Sequence, residues 1–162
     1  MGPIGQTIID RLNAFGVHTI GVRYTPSKVG PADEVIGSDN ADIDDAFART
    51  EHLVLACPLT DTNEGLVDEE ALLSLPIDAL VVNIVRGQVI EMDPLVSALQ
   101  TNRIRGAALD VTDPEPLPQE SPLWQLQNCY ITPHNAGPGH TPQYWDRCAG
   151  ILADSLADYD IS

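Results

Sequence analysis

Positive charge is scarce in this sequence. Its 162 residues include 8 Lys and Arg against 24 Asp and Glu, which gives a formal net charge of −16. This balance argues against nucleic acid as a partner, because the phosphates would be repelled. It is typical of an acidic soluble protein, and it also suits a halophilic surface, since high salt screens self-repulsion. Both interpretations stay open at this point.

Long apolar runs and paired cysteines are also missing. No run approaches the roughly 18 residues of a membrane span, and no basic stretch followed by an apolar core marks a secretory leader. We therefore expect a cytoplasmic protein without a membrane partner. Cys57, Cys129 and Cys148 lack CxxC spacing, which predicts reduced, buried thiols rather than a disulfide framework or a metal site.

Short apolar stretches alternate with helical patterns along the chain, and this alternation predicts a parallel α/β sheet in one domain. The strands are expected at residues 17–22, 53–57, 79–85, 106–109 and 130–132. The helices are expected within residues 3–15, 39–45, 68–73, 93–100 and 142–159. In the first helix the apolar face comprises Ile8, Ile9, Leu12 and Phe15.

A glycine turn precedes the first helix. Gly2 and Gly5 fit the second and third glycines of the dinucleotide fingerprint G-x-G-x-x-G, but the first glycine and the strand before it are absent. Arg23 directly follows the next predicted strand, where NAD-binding versions carry an acidic residue. An arginine there can accept a 2′-phosphate, which favours NADP with NAD as the alternative. A solvated surface arginine is an equally open interpretation.

Polar side chains follow three of the predicted strands. Arg86 comes after residues 79–85, Glu115 lies in the loop after residues 106–109, and His134 follows the last strand. Because the carboxyl ends of parallel strands line one crevice, we expect these three side chains to converge there. The acidic residues between 39 and 45 lack the spacing of a metal site, so an acidic metal-binding module is the less favoured hypothesis.

Five motifs follow one another along the chain: Asn-Ile-Val-Arg-Gly at 83–87, Ala-Leu-Asp-Val at 108–111, Pro-Glu-Pro-Leu-Pro at 114–118, Ser-Pro-Leu-Trp at 121–124 and Thr-Pro-His-Asn-Ala-Gly at 132–137. In their order and spacing they resemble the motifs of the D-isomer-specific 2-hydroxyacid dehydrogenases, in particular the glyoxylate/hydroxypyruvate reductase branch. The resemblance implies a Rossmann-like, doubly wound parallel sheet. It also implies an enzyme that transfers hydride between NAD(P)H and a small 2-oxoacid.

The resemblance assigns roles to individual residues. His134 would be the general acid that protonates the carbonyl oxygen, and Glu115 would hold the other ring nitrogen and favour the imidazolium form. Arg86 would bind the carboxylate of the 2-oxoacid through its planar fork of donors. The implied cofactor contacts are Gly2, Pro3, Ile4 and Gly5 at the pyrophosphate, Arg23 and Pro58 on the adenosine side, and Ile84, Val85 and Asp110 at the nicotinamide.

The sequence also departs from the family. The substrate-binding domain and the first, central strand are not in these residues, so residues 1–162 are expected to be a partial, N-terminally truncated dinucleotide-binding domain. Backbone groups beside the missing strand should lack partners, and the chain alone should show little or no turnover. The alternative function is a non-catalytic remnant that binds dinucleotide or dimerises, because the family usually forms homodimers through this domain.

Overall fold

The computed structural model describes residues 2–24, 30–38 and 40–137, together with residues 146, 149 and 150. Helices and strands alternate along the described part of the chain, as predicted. The helices are α1 (Pro3–Asn13), α2 (Asn40–Ala48), α3 (Glu69–Ser74) and α4 (Met92–Gln100). The strands are β1 (Ile20–Val22), β2 (Glu34–Ile36), β3 (His52–Leu55), β4 (Leu80–Asn83), β5 (Gly106–Leu109) and β6 (Cys129–Ile131). Two 3₁₀ turns cover Gly87–Val89 and Pro122–Gln125.

Four strands form the main sheet, in the order β3-β4-β5-β6, and every neighbouring pair is parallel. Leu55 at the end of β3 lies opposite Asn83 at the end of β4, and Asn83 lies opposite Leu109 at the end of β5. The strands thus end in register, and the loops that follow them meet at one edge. The predicted parallel α/β architecture is confirmed.

The remaining strands, β1 and β2, form a separate parallel sheet of two strands. In the doubly wound order 3-2-1-4-5-6, the first strand lies between the positions that β1 and β3 occupy here. The break between the two sheets therefore falls where the resemblance placed the absent strand. Strand β2 was not predicted, because its three residues carry no apolar run long enough to indicate a strand.

Two expectations for the N-terminal region are wrong in detail. The predicted strand at 17–22 is regular only from Ile20, and Phe15, predicted to face inward, is 83% exposed. The reason is that α1 ends at Asn13 and the chain then turns at Gly16, whose φ of 69° lies in the left-handed region that glycine adopts readily. Of the predicted apolar face, Ile9 is buried and Phe15 lies outside the helix.

The hydrophobic core lies between the main sheet and helices α2, α3 and α4. Leu95 and Leu99 of α4 face inward as predicted and are almost completely buried, as is Val81 at the centre of β4. Each such side chain stabilises the fold by about 1.5–3 kcal/mol, which makes the main sheet a rigid platform for its loops. None of the described helices is both long and apolar enough to cross a bilayer.

The cysteines are less buried than predicted. Cys57 and Cys129 are free thiols, but both are partly exposed, because Cys57 lies beyond the end of β3 and Cys129 begins β6 at the end of the main sheet order. Cys148 and the predicted helix at 142–159 lie outside the described residues, apart from isolated positions within that range.

Candidate active site

The residues that end β4 form a turn, here called the arginine turn (residues 83–86). Asn83 is fully buried, and its side chain makes two hydrogen bonds within the turn. Its Nδ2 donates to the Arg86 carbonyl at 2.8 Å, and its Oδ1 accepts from the Val85 amide at 3.1 Å. The predicted strand at 79–85 therefore stops at Asn83, which places Ile84, Val85 and Arg86 at the sheet edge.

Gly87 brings the arginine turn against the loop that follows β5. A Cβ atom at this position would lie 2.1 Å from both the carbonyl carbon and the oxygen of Thr112, and 2.5 Å from the Asp113 amide nitrogen. Only glycine permits this approach of one backbone to another. Next to it, Gln88 Nε2 donates to Asp113 Oδ1 at 3.3 Å. The loops that carry Arg86 and Glu115 are thus in direct contact.

Asp110 follows β5 and is 6% exposed. Its Oδ1 accepts from Thr132 Oγ1 at 2.5 Å and from the amides of Asn135 and Ala136 at 2.9 and 3.0 Å. Burial works to raise the pKa of this carboxyl group, but the hydrogen bonds from Thr132, Ala136 and Asn135 and the charge of His134 outweigh it and lower the pKa below its ordinary value. Asp110 therefore stays ionised to a lower pH than an ordinary aspartate does.

The structure brings His134 and Glu115 together. His134 Nδ1 lies 2.8 Å from Glu115 Oε1, with side-chain exposures of 47% and 39%. In the described part of the chain the other ring nitrogen, Nε2, makes no hydrogen bond. A carboxylate on Nδ1 fixes the ring orientation and leaves Nε2 for proton transfer to a molecule at the sheet edge.

Arg86 is placed at the same edge but does not pair with the other two side chains. It is exposed, and its Nη1 donates to the Val85 carbonyl at 2.6 Å. Among the described residues no ion pair joins Arg86 to Glu115 or His134. Its guanidinium group thus keeps donors for an external anion.

The predicted cofactor residues lie around this edge and at the start of α1. Gly2 precedes the helix, Pro3 occupies its first turn, and a Cβ at Gly2 would meet nothing within 4 Å, so space lies open beside the helix N-terminus. Such a terminus offers unpaired amides to a phosphate. Arg23 follows β1, and its amide donates to the Ile36 carbonyl at 3.1 Å.

The remaining positions fit the same arrangement. Pro58 lies beyond β3 and is exposed, in a turn held by Asn63 Nδ2, which donates to the Pro58 carbonyl at 2.8 Å. Ile84 and Val85 are partly buried beyond β4. Doubly wound folds bind dinucleotides across the carboxyl ends of their strands, which is where Pro58, Ile84 and Val85 lie. Over the described ranges, no group of three or more His, Cys, Asp or Glu is arranged to hold a metal ion.

Sequence reasoning gave no role to Asn83 or Thr132, which the structure shows to be fixed by hydrogen bonds to the site's loops. For Asn83 a local signal was present: an asparagine directly after an apolar run is typical of a side chain that closes a turn. For Thr132 there was none, because its partner Asp110 is 22 residues away.

Comparison with known proteins identifies the family. Residues 1–136 match the model of the D-isomer specific 2-hydroxyacid dehydrogenase, NAD binding domain. The human glyoxylate reductase/hydroxypyruvate reductase is 37% identical over 141 residues, which are 86% of this chain and 42% of the relative. The chain thus spans less than half the length of that protein.

Solved structures agree with this result. The NADPH-dependent glyoxylate/hydroxypyruvate reductase from Sinorhizobium meliloti, in complex with NADP and sulfate, matches with a TM-score of 0.83 and 28% identity over 99% of this chain and 51% of its own. Phosphoglycerate dehydrogenase from Lactobacillus plantarum matches with a TM-score of 0.81 and 33% identity over 97% of this chain and 51% of its own. The chain belongs to the D-isomer-specific 2-hydroxyacid dehydrogenase family, of which it contains the NAD-binding domain.

Proposed function

We propose that this chain is the cofactor-binding and proton-donating part of an NAD(P)-dependent reductase that converts small 2-oxoacids to D-2-hydroxyacids. The 2.8 Å contact between His134 Nδ1 and Glu115 Oε1 carries the proposal. It gives a histidine whose second nitrogen is available at the edge of a parallel sheet, in a chain of the dehydrogenase family. Residues 1–162 act as one partial dinucleotide-binding domain.

Three side chains divide the chemistry. His134 Nε2 donates a proton to the carbonyl oxygen of the 2-oxoacid during reduction and accepts it in the reverse direction. Glu115 holds Nδ1 and stabilises the imidazolium form through its charge. Arg86 binds the substrate carboxylate with two parallel donors. NAD(P)H, when bound, supplies the hydride.

The catalytic assignment is tested by Arg86→Gln in the complete enzyme, meaning these residues together with a substrate-binding domain. We expect KM for glyoxylate or hydroxypyruvate to rise about tenfold or more, because a charge-assisted bond contributes roughly 1.5–3 kcal/mol. Loss of NADPH absorbance gives the rate. An unchanged KM would remove Arg86 from the site. The isolated 162 residues should show little or no turnover.

NADPH is the proposed cofactor, because Arg23 stands after β1 where a 2′-phosphate would lie. The relative from Sinorhizobium meliloti carries NADP in its structure. We expect Arg23→Asp to reverse the preference toward NADH, measured as the ratio of the two dissociation constants in fluorescence titrations of the chain. Equal ratios for the variant and the unsubstituted chain would refute the role of Arg23.

A second candidate function requires only the open helix N-terminus at Gly2 and Pro3 and does not require His134. It is a non-catalytic domain that binds dinucleotide or forms a homodimer. Cofactor binding without turnover in the complete protein would select this function. The homodimer, the halophilic surface and the cytoplasmic location all stay predictions, and sedimentation across a salt series tests the first two.

A further inference from the structure

Asp110 contacts nearly every residue of the loop that carries His134, here called the histidine loop (residues 132–136). Its carboxylate accepts from the Thr132 hydroxyl and from the amides of Asn135 and Ala136, and Ala136 N also reaches Oδ2 at 3.1 Å. Its own carbonyl accepts from the His134 amide at 2.9 Å. Only Pro133, which has no N–H, is not bonded to Asp110.

Among the described residues, the histidine loop is otherwise held by the Thr132 amide, which donates to the Leu109 carbonyl at 2.9 Å, and by the contact of His134 with Glu115. All five of its residues are exposed, so burial contributes little to its conformation. His134 has φ of 52°, a left-handed backbone that a residue with a Cβ adopts only when its surroundings require it. Within the described residues, the amides of Asn135 and Ala136 have no other partner, and the His134 amide shares its bond only with the Thr132 carbonyl.

Asp110 is itself held in place by the main sheet. It is buried, and its amide donates to the carbonyl of Asn83, the residue that closes the arginine turn. The chain of bonds therefore runs from β4 through Asp110 to the histidine loop and ends at the contact between His134 and Glu115. Through these bonds the rigid end of β4 constrains the position of the exposed His134 imidazole.

We propose that Asp110 is a positioning residue whose carboxylate holds the histidine loop in the one conformation that presents the His134 imidazole to Glu115. Its catalytic consequence rests on the function proposed above, whereas the positioning itself does not. This role is additional to the cofactor contact implied by the family resemblance, since Oδ2 accepts only one longer bond and keeps room for another donor.

The test compares three variants of the chain by NMR. Asp110→Ala removes the acceptors, and Asp110→Asn keeps Oδ1 for the loop's donors. Asp78→Ala is the matched control, because it removes an exposed carboxylate that precedes β4 at the amino end of the main sheet. We expect hydrogen exchange at the Asn135 and Ala136 amides to be about a hundredfold faster in Asp110→Ala. We also expect this variant to lose the NMR signal of the proton between His134 Nδ1 and Glu115. Asp110→Asn loses the Ala136 bond to Oδ2 and should show a smaller increase, at Ala136, whereas Asp78→Ala should stay close to the unsubstituted chain.

The outcomes separate the possible roles. If Asp110→Ala keeps both the slow exchange and the His134 signal, the positioning role is overturned, and weaker NADPH binding alone would leave Asp110 as a cofactor contact only. Should Asp110→Ala fail to fold, Asp110→Asn decides, because it replaces Oδ2, the second acceptor of the Ala136 amide: faster exchange at Ala136 supports the proposal, and unchanged exchange at both Asn135 and Ala136 contradicts it.

Turnover gives the separate test of the underlying function. In the complete enzyme we expect Asp110→Ala to lower kcat by about a hundredfold or more, as for a lost general acid, and Asp110→Asn to lower it by a smaller factor. If the unsubstituted enzyme reduces no 2-oxoacid, the proposed function fails, and the NMR comparison still decides whether Asp110 positions the loop.

Discussion

Gly87→Ala tests whether the loops that carry Arg86 and Glu115 must be in contact. The added Cβ would lie 2.1 Å from the Thr112 carbonyl carbon and oxygen, against an ordinary contact of 3.4 Å or more. The two backbones would have to separate by roughly 1 Å, and neither can rotate away as a side chain would. Overpacking of this kind costs about 1–3 kcal/mol, and we expect the upper end here.

Two other glycines supply a graded control series. At Gly106 an added Cβ would meet the Asn128 carbonyl oxygen at 2.8 Å, and at Gly137 it would meet nothing within 4 Å. We expect Gly137→Ala to change stability by less than about 0.5 kcal/mol. Gly106→Ala should cost about 1 kcal/mol, because the smaller overlap needs a smaller shift.

Thermal unfolding followed by circular dichroism measures the series. A loss of about 3 kcal/mol lowers Tm by roughly 6–12 °C in a chain of this size. The expected order of destabilisation is Gly87, then Gly106, then Gly137. If Gly87→Ala unfolds at the same temperature as Gly137→Ala, the close approach of Gly87 to Thr112 does not stabilise this fold. That result would also refute the required contact between the loops that carry Arg86 and Glu115.

Two further predictions follow from pKa values. Burial raises the pKa of the Cys129 thiol to about 11, so at pH 8 only about one thiol in a thousand is ionised. We therefore expect alkylation of Cys129, measured by peptide mass spectrometry, to be far slower in the folded chain than in the urea-unfolded chain. Equal alkylation rates would contradict the raised pKa. The Asp110 pKa is lowered on folding, so its contribution to stability is complete above the ordinary carboxyl value of about 4 and is lost as pH falls from there through the folded pKa. Urea unfolding across this range should show a steeper loss for the unsubstituted chain than for Asp110→Asn, and parallel curves would count against the shift.

The main sheet was predictable because its strands are continuous apolar runs between polar residues. Strand β5 matches its predicted bounds, since Gly106 follows Arg105 and Leu109 precedes Asp110, which leaves little choice of register. Strand β2 was missed because Glu34–Ile36 has no such run, and it forms only through pairing with β1. Local pattern identifies buried strands and overlooks those stabilised by a neighbour.

The motifs that carry the candidate site residues could be found from the sequence, whereas the contacts that support those residues could not. Arg86, Glu115 and His134 stand in short motifs that the eye can find along the chain. The support consists of contacts between distant segments, such as Gly87 against Thr112 and Thr132 on Asp110. These contacts depend on the register of the parallel strands, which is known only once the strands are paired in the sheet. The predicted inward position of Phe15 was wrong because α1 ends at Asn13, two residues before the end of the apolar pattern.

Removal of the imidazole is the most direct test of the central claim, that His134 held by Glu115 exchanges a proton with a 2-oxoacid. His52→Ala is the matched control, because His52 is exposed and begins β3 at the opposite, amino end of the main sheet. In the complete enzyme with NADPH and glyoxylate, we expect His134→Ala to lower kcat by at least about a hundredfold and His52→Ala to leave it nearly unchanged. Equal turnover by His134→Ala and the unsubstituted enzyme would contradict the claim.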